Sequence, residues 1–115
     1  MMLKSLEKLV DLALKKGTKK LVVAVAEDDD VLSAVGKAHK IGIIEPLLIG
    51  NKNHIKQAAK TAGFDISAIE IVHEPLPANA CSLAARMIAD KKATILMKGM
   101  VSTSILMKAF LDKEL

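Results

Sequence analysis

The chain has 115 residues, 51% of them apolar, and a mild net charge of +4, enough for one domain with a modest core. Phe64 and Phe110 are its only aromatics, which weighs against the stacking platforms of single-strand nucleic-acid binders. Its basic residues are scattered lysines with Arg86 as the single arginine, so the clustered stripe of a DNA-binding face is absent.

In chain order, Leu3, Leu6, Leu9, Val10, Ala13 and Leu14 recur at helical spacing, and Gly17 closes the pattern. This start alternates charge with apolar residues too regularly for a signal peptide. No run approaches the roughly 18 apolar residues of a membrane span, and the reading is a soluble cytoplasmic protein. Residues 21–26, LVVAVA, form a valine-rich run that predicts a central parallel strand buried on both faces. Glu27, Asp28, Asp29 and Asp30 lead into a helix over 31–40, where acids suit the positive end of the dipole. Gly42 stops that helix, and Glu45-Pro46 forces extended backbone before a short strand at 47–49.

Asn51 is placed to cap a helix over 52–62 that Gly63 closes. A strand at 69–72 follows, then Pro75 and Pro77 in a loop, then an alanine-rich helix over 78–91. A strand over 94–97 and a helix over 105–111 complete the series. Strands alternating with helices predict right-handed βαβ units: an α/β fold with a parallel sheet covered by helices on both faces. The first strand is the most apolar and the fourth the richest in motif, which puts them side by side near the centre, strand order 3-2-1-4.

Ligands of open parallel sheets bind beyond the carboxyl ends of the strands. Two of those ends carry polar clusters. After the fourth strand come Lys98 and Gly99, and then Ser102, Thr103 and Ser104 at a helix start, where unpaired N–H groups attract anions. Gly99 allows close backbone approach or positive φ, and Lys98 and Lys108 add charge. This is a phosphate cradle without the Walker spacing. The plain alternative is that Ser102 or Thr103 only caps the helix. After the first strand, Glu27 and its three aspartates act as cap and dipole partners, or as a carboxylate pair for a divalent ion.

His39, His54 and His73 match no ligand spacing, and each reads as a surface or half-buried residue. Cys81, the lone cysteine, reads as a small buried thiol. Met97, Met100 and Met107 read as packing residues. No metal site and no dinucleotide fingerprint emerges. A receiver-like signalling module is the alternative of another class, but its third strand would need an aspartate where this sequence has Val72-His73-Glu74.

The segments LVVAVAEDDDVLSAV, GIIEPLLIGN and ATILMKGMVSTSILMKAFLDKEL, in this order and spacing, resemble the N-terminal part of the phosphate acetyltransferase/phosphate butyryltransferase family, the butyryl branch most closely. The resemblance spans essentially the whole chain. It implies acyl transfer between coenzyme A and inorganic phosphate, with the coenzyme A thioester as substrate and no tightly bound cofactor. It also implies that residues 1–115 form the N-terminal part of the first α/β domain of a two-domain enzyme. On that resemblance Lys98, Gly99, Ser102, Thr103, Ser104 and Lys108 line the substrate cleft, and Glu27 and Asp28 supply cleft acids. Lys108 departs from the acetyl branch, which has an arginine there; a lysine is a point charge where arginine offers a fork. The family's aspartate base and phosphate-binding arginines have no counterpart in this segment, so the expectation is an N-terminal fragment inactive alone. Either the missing C-terminal half or a second copy would cover its sheet edge.

Overall fold

The structure is a computed structural model and describes residues 18–112, so the helix expected over 3–14 lies outside the described residues. The elements alternate: β1 (Lys19–Ala24), α1 (Asp29–Lys40), β2 (Ile44–Gly50), α2 (Lys52–Ala62), β3 (Glu70–His73), α3 (Pro77–Ala89), β4 (Ile95–Lys98) and α4 (Thr103–Asp112). All pairings are parallel, and the order is β3-β2-β1-β4, as the sequence predicts.

β1 lies inside the sheet and separates two cores. Leu21 and Val23 point to one side, against Val31, Leu32 and Val35 of α1 and Ile55 and Ala59 of α2. Val22 and Ala24 point to the other, against Ala80, Cys81 and Ala84 of α3 and Leu106 and Ala109 of α4. Both faces of the strand are therefore dry, which is why its apolar run is continuous and not alternating. Each fully buried valine or leucine contributes about 1.5–3 kcal/mol.

Local signals set the helix starts. Asp28 is the N-cap of α1 and accepts from the N–H groups of Asp30 (2.9 Å) and Val31 (3.3 Å). Asn51 caps α2 through Asn53 N (3.0 Å) and His54 N (3.2 Å). α3 begins at Pro77, whose fixed φ suits a first helical position.

Apart from α2, every described element is offset from the sequence reading by one to three residues at one end or both, and two of these shifts have a clear physical cause. β2 begins at Ile44 and carries Pro46 within it. β3 pairs only from Leu47 onward, so at position 46 β2 has a neighbour on the β1 side alone. β1 ends at Ala24 because Val25 adopts φ +55°. A β-branched residue there is strained by about 1–3 kcal/mol, and it persists only where its surroundings fix it. Here they do: the Val25 side chain is buried, and its carbonyl accepts from Glu27 N (2.7 Å) and Met100 N (2.9 Å).

Candidate functional site

The chain runs β1, β2, β3 outward in one direction and then crosses back to place β4 on the other side of β1. The gap between β1 and β4 is therefore the topological switch point, where an open α/β sheet receives its ligand. The loops that leave its two strands are residues 25–28 and 99–102.

These loops are clasped by backbone. Gly99 N donates to Ala24 O (2.9 Å) and Met100 N to Val25 O (2.9 Å), extending the ladder past the end of the sheet. Gly99 has to be glycine for this: a Cβ would lie 2.8 Å from the Val25 carbonyl carbon and closer still to its oxygen. The close approach that the sequence assigns to Gly99 is thus met first by the chain itself. Lys98 ends β4 and folds over the loop, its Nζ donating to Val101 O (2.8 Å). An ammonium has three protons, so two remain for other partners.

Beyond the clasp α4 begins. Ser102 Oγ accepts from Ile105 N (3.3 Å), the reach of an N-cap, and lies 3.2 Å from Ser104 Oγ. The plain capping role therefore holds for Ser102. The N–H groups of Thr103 and Ser104 have no partner among the described residues, and both residues are exposed. Lys108, exposed as well, follows Ser104 by one turn and shares its face.

The other helix starts at this edge differ. α2 is fully satisfied: besides the Asn51 cap, Asn51 N donates to Glu27 Oε2 (3.0 Å) and Lys52 N to His73 Nδ1 (3.0 Å). α1 is ringed by Asp28, Asp29 and Asp30, whose carboxylate oxygens lie within 4.8 Å of one another and repel anions. α3 has no side-chain cap, and Glu74 lies before it, accepting from Leu76 N (3.3 Å). Among the described residues, only α4 combines open N–H groups, hydroxyls and lysines.

Of the two acids expected to line a cleft, Asp28 is occupied as a cap. Glu27 is half-buried and does more. Besides Asn51 N it takes His54 Nδ1 at 2.8 Å, with the carboxylate 16% exposed and the imidazole 63% exposed. Glu27, Asp29, His54, Gln57, Thr61 and Met100 line a depression of about 450 Å³. The sequence reading missed this pairing. Its signal was topological: Glu27 and His54 follow adjacent parallel strands, so their loops are neighbours. The acids and the Lys98–Ser104 group sit on opposite flanks of the clasp, with Met100 reaching the acidic side. Larger grooves, of 630 and 750 Å³, lie away from this edge, around Phe64 and around Lys20 and Ala93.

The fold and its switch-point loops define an open parallel α/β protein, of the kind that receives ligands beyond the carboxyl ends of its strands. The profile described as phosphate acetyl/butaryl transferase matches residues 4–78, and the chain belongs to that family. It is 37% identical over 113 residues to the phosphate butyryltransferase of Clostridium acetobutylicum, covering 98% of this chain and 38% of that protein. It is 38% identical over 109 residues to the phosphate acetyltransferase of Thermotoga maritima, covering 95% and 36%. The chain thus spans less than two-fifths of the length of these relatives. In fold it is similar to a phosphotransacetylase from Streptococcus pyogenes, with TM-score 0.72, 16% identity, and coverage of 95% of this chain and 42% of that one. A branched-chain phosphotransacylase from Enterococcus faecalis V583 gives TM-score 0.64 at 21% identity, covering 83% and 33%. Among the described residues no helix is long and apolar enough to cross a membrane.

Proposed function

We propose that this chain is the amino-terminal part of a phosphate acyltransferase that exchanges a short acyl group, butyryl or acetyl, between coenzyme A and inorganic phosphate. Lys98, Gly99, Ser102, Thr103, Ser104 and Lys108 form its anion side. The observation that carries the reading is the start of α4, whose Thr103 and Ser104 N–H groups lie open at the β1/β4 switch point with lysines on either side.

The chemistry suits such a group. When a thiol attacks the carbonyl of an acyl phosphate, the departing phosphate and the developing oxyanion both need positive charge and hydrogen-bond donors. Helix N–H groups, hydroxyls and ammonium groups supply them. The other requirement, a base for the thiol proton, is unmet by these six residues, so the reading needs a further residue for it. The outer edge of β4, unpaired among the described residues, and the exposed Ile105 and Leu111 of α4 mark where further chain would pack, from the rest of a longer protein or a second copy.

The test is an amide-resolved titration of the chain with inorganic phosphate. The Thr103 and Ser104 amide signals should move, and Lys98→Ala should weaken the response. Signals at 102–104 that stay still at saturating phosphate would remove the basis of the reading. Release of free thiol from butyryl-CoA or acetyl-CoA with phosphate, by a longer protein carrying this segment, tests the whole reaction.

A further inference from the structure

The edge of the sheet opposite β4 carries a surface that the acyl-transfer reading does not use. Among the described residues β3 pairs with β2 alone. Glu74 N donates to Gly50 O (2.8 Å), and a parallel ladder alternates, so Ile71 and His73 turn their N–H and C=O groups away from β2. Those groups have no backbone partner among the described residues. An unpaired strand edge is a template for another strand.

The groove beside this edge combines a basic row with apolar side chains. Lys52, Lys56 and Lys60 recur every fourth residue of α2, so they form one row along the groove, and all three are exposed. The half-buried Ile66, Ile69 and Ile71 line it as well, and its volume is about 550 Å³. Among the described residues no carboxylate stands within ion-pair distance of any of the three ammonium groups. Asp65, the one acid in the lining, already accepts from Ser67 N (3.0 Å). Like charges at this spacing repel, so the row costs α2 stability that an anionic partner returns.

We propose that β3 and the lysine row of α2 form a docking surface for an extended acidic segment of a partner protein, which joins the sheet as a strand beside β3. Backbone hydrogen bonds to Ile71 and His73 hold such a segment, and its carboxylates meet the lysines. A second copy of this chain suits the edge poorly, because pairing β3 with β3 brings two lysine rows together. Nucleic acid suits it poorly too: its phosphates would answer the lysines but leave the strand edge and the isoleucines unmatched. Strands β2 and β1 separate this surface from the β1/β4 switch point, so docking there is independent of the phosphate response at 102–104.

The experiment titrates the 115-residue chain with a short peptide alternating glutamate and valine, following amide signals. The Ile71 and His73 amides are expected to shift and to exchange more slowly with solvent, while those of 102–104 stay still. N-methylating one or the other set of alternate residues in the peptide separates edge pairing from charge: one version should lose binding and the other keep it. Lys56→Glu combined with Lys60→Glu should weaken the peptide roughly three- to tenfold, the loss of two exposed ion pairs. The same double variant should favour a peptide with lysine in place of glutamate. Binding that ignores the position of the N-methyl groups would overturn the proposal. So would equal shifts along the lysine row from a short single-stranded RNA or from anionic vesicles. Silence from the peptide would overturn it as well and leave the lysines as guards that keep other strands off the edge.

Discussion

Gly99 N donates to Ala24 O, and the Val25 carbonyl lies so close to the Gly99 Cα that no side chain fits between them. This contact joins the loops of the two strands that flank the switch point, and it brings Met100 and the start of α4 to their places. The strained backbone of Val25 is held beside the same contact, because its carbonyl accepts from Met100 N as well as Glu27 N.

Gly99→Ala should therefore cost stability, not only local mobility. The obstacle is backbone, which cannot rotate away, so a loss of about 1–3 kcal/mol or more is expected from overpacking. A urea unfolding midpoint compared with that of the parent chain measures it. An unchanged midpoint would mean the clasp opens at little cost.

Ser102→Ala removes the acceptor for Ile105 N. The expected loss is about 1 kcal/mol, with fraying of the first turn of α4 seen in hydrogen exchange at 103–106. Phosphate binding should weaken with it, since the same turn presents the open N–H groups. Thr103→Ala, whose hydroxyl caps nothing, should spare stability.

Gly50→Ala tests the Glu27 arrangement from behind. The added methyl would press on Oε2 from 2.9 Å and displace the carboxylate from Asn51 N and His54. The contact between His54 Nδ1 and Glu27 should then be lost, seen as a change in the His54 imidazole signals, although the carboxylate is still present.

Cys81 is fully buried between α3 and the sheet, and burial raises its thiol pKa above the ordinary 9.0. The folded thiol should resist thiol reagents at neutral pH until the chain unfolds. Because the raised value belongs to the folded state, this group's contribution is intact below pH 9.0 and is lost as pH climbs from there through the raised value. The slope is at most about 1.4 kcal/mol per pH unit. Comparing Cys81→Ala with the parent between neutral and alkaline pH isolates it, and equal slopes would contradict the assignment.

Much of the fold was legible because its signals are local. The dry run at 21–26, the Asn51 cap with the helix over 52–62, and the alternation of strand and helix each declare themselves within a few residues. The strand order followed from placing the most apolar strand and the motif-bearing strand side by side at the centre. The end of β1 was not legible, because valine's strand preference hides the positive φ that a contact some 75 residues away imposes on Val25. Pro46 inside β2 was hidden likewise, since its tolerance depends on how far β3 reaches. After β4 the serines, threonine and lysines could be named from type and spacing; the acidic cluster was legible as a cap, but not that Asp28 is the capping residue, because α1 starts two residues earlier than expected. The tie between Glu27 and His54 could not be named.

Taken alone, the order of residues determined the class of fold, the two polar strand ends and the family likeness, since each is written in local periodicity or short motifs. Tertiary structure alone decided that Gly99 serves the Val25 carbonyl, that α2's donors are spent while α4's remain open, and that an oriented imidazole faces a small acidic hollow. Those outcomes depend on which loops the sheet makes neighbours, and distance along the chain carries no record of that.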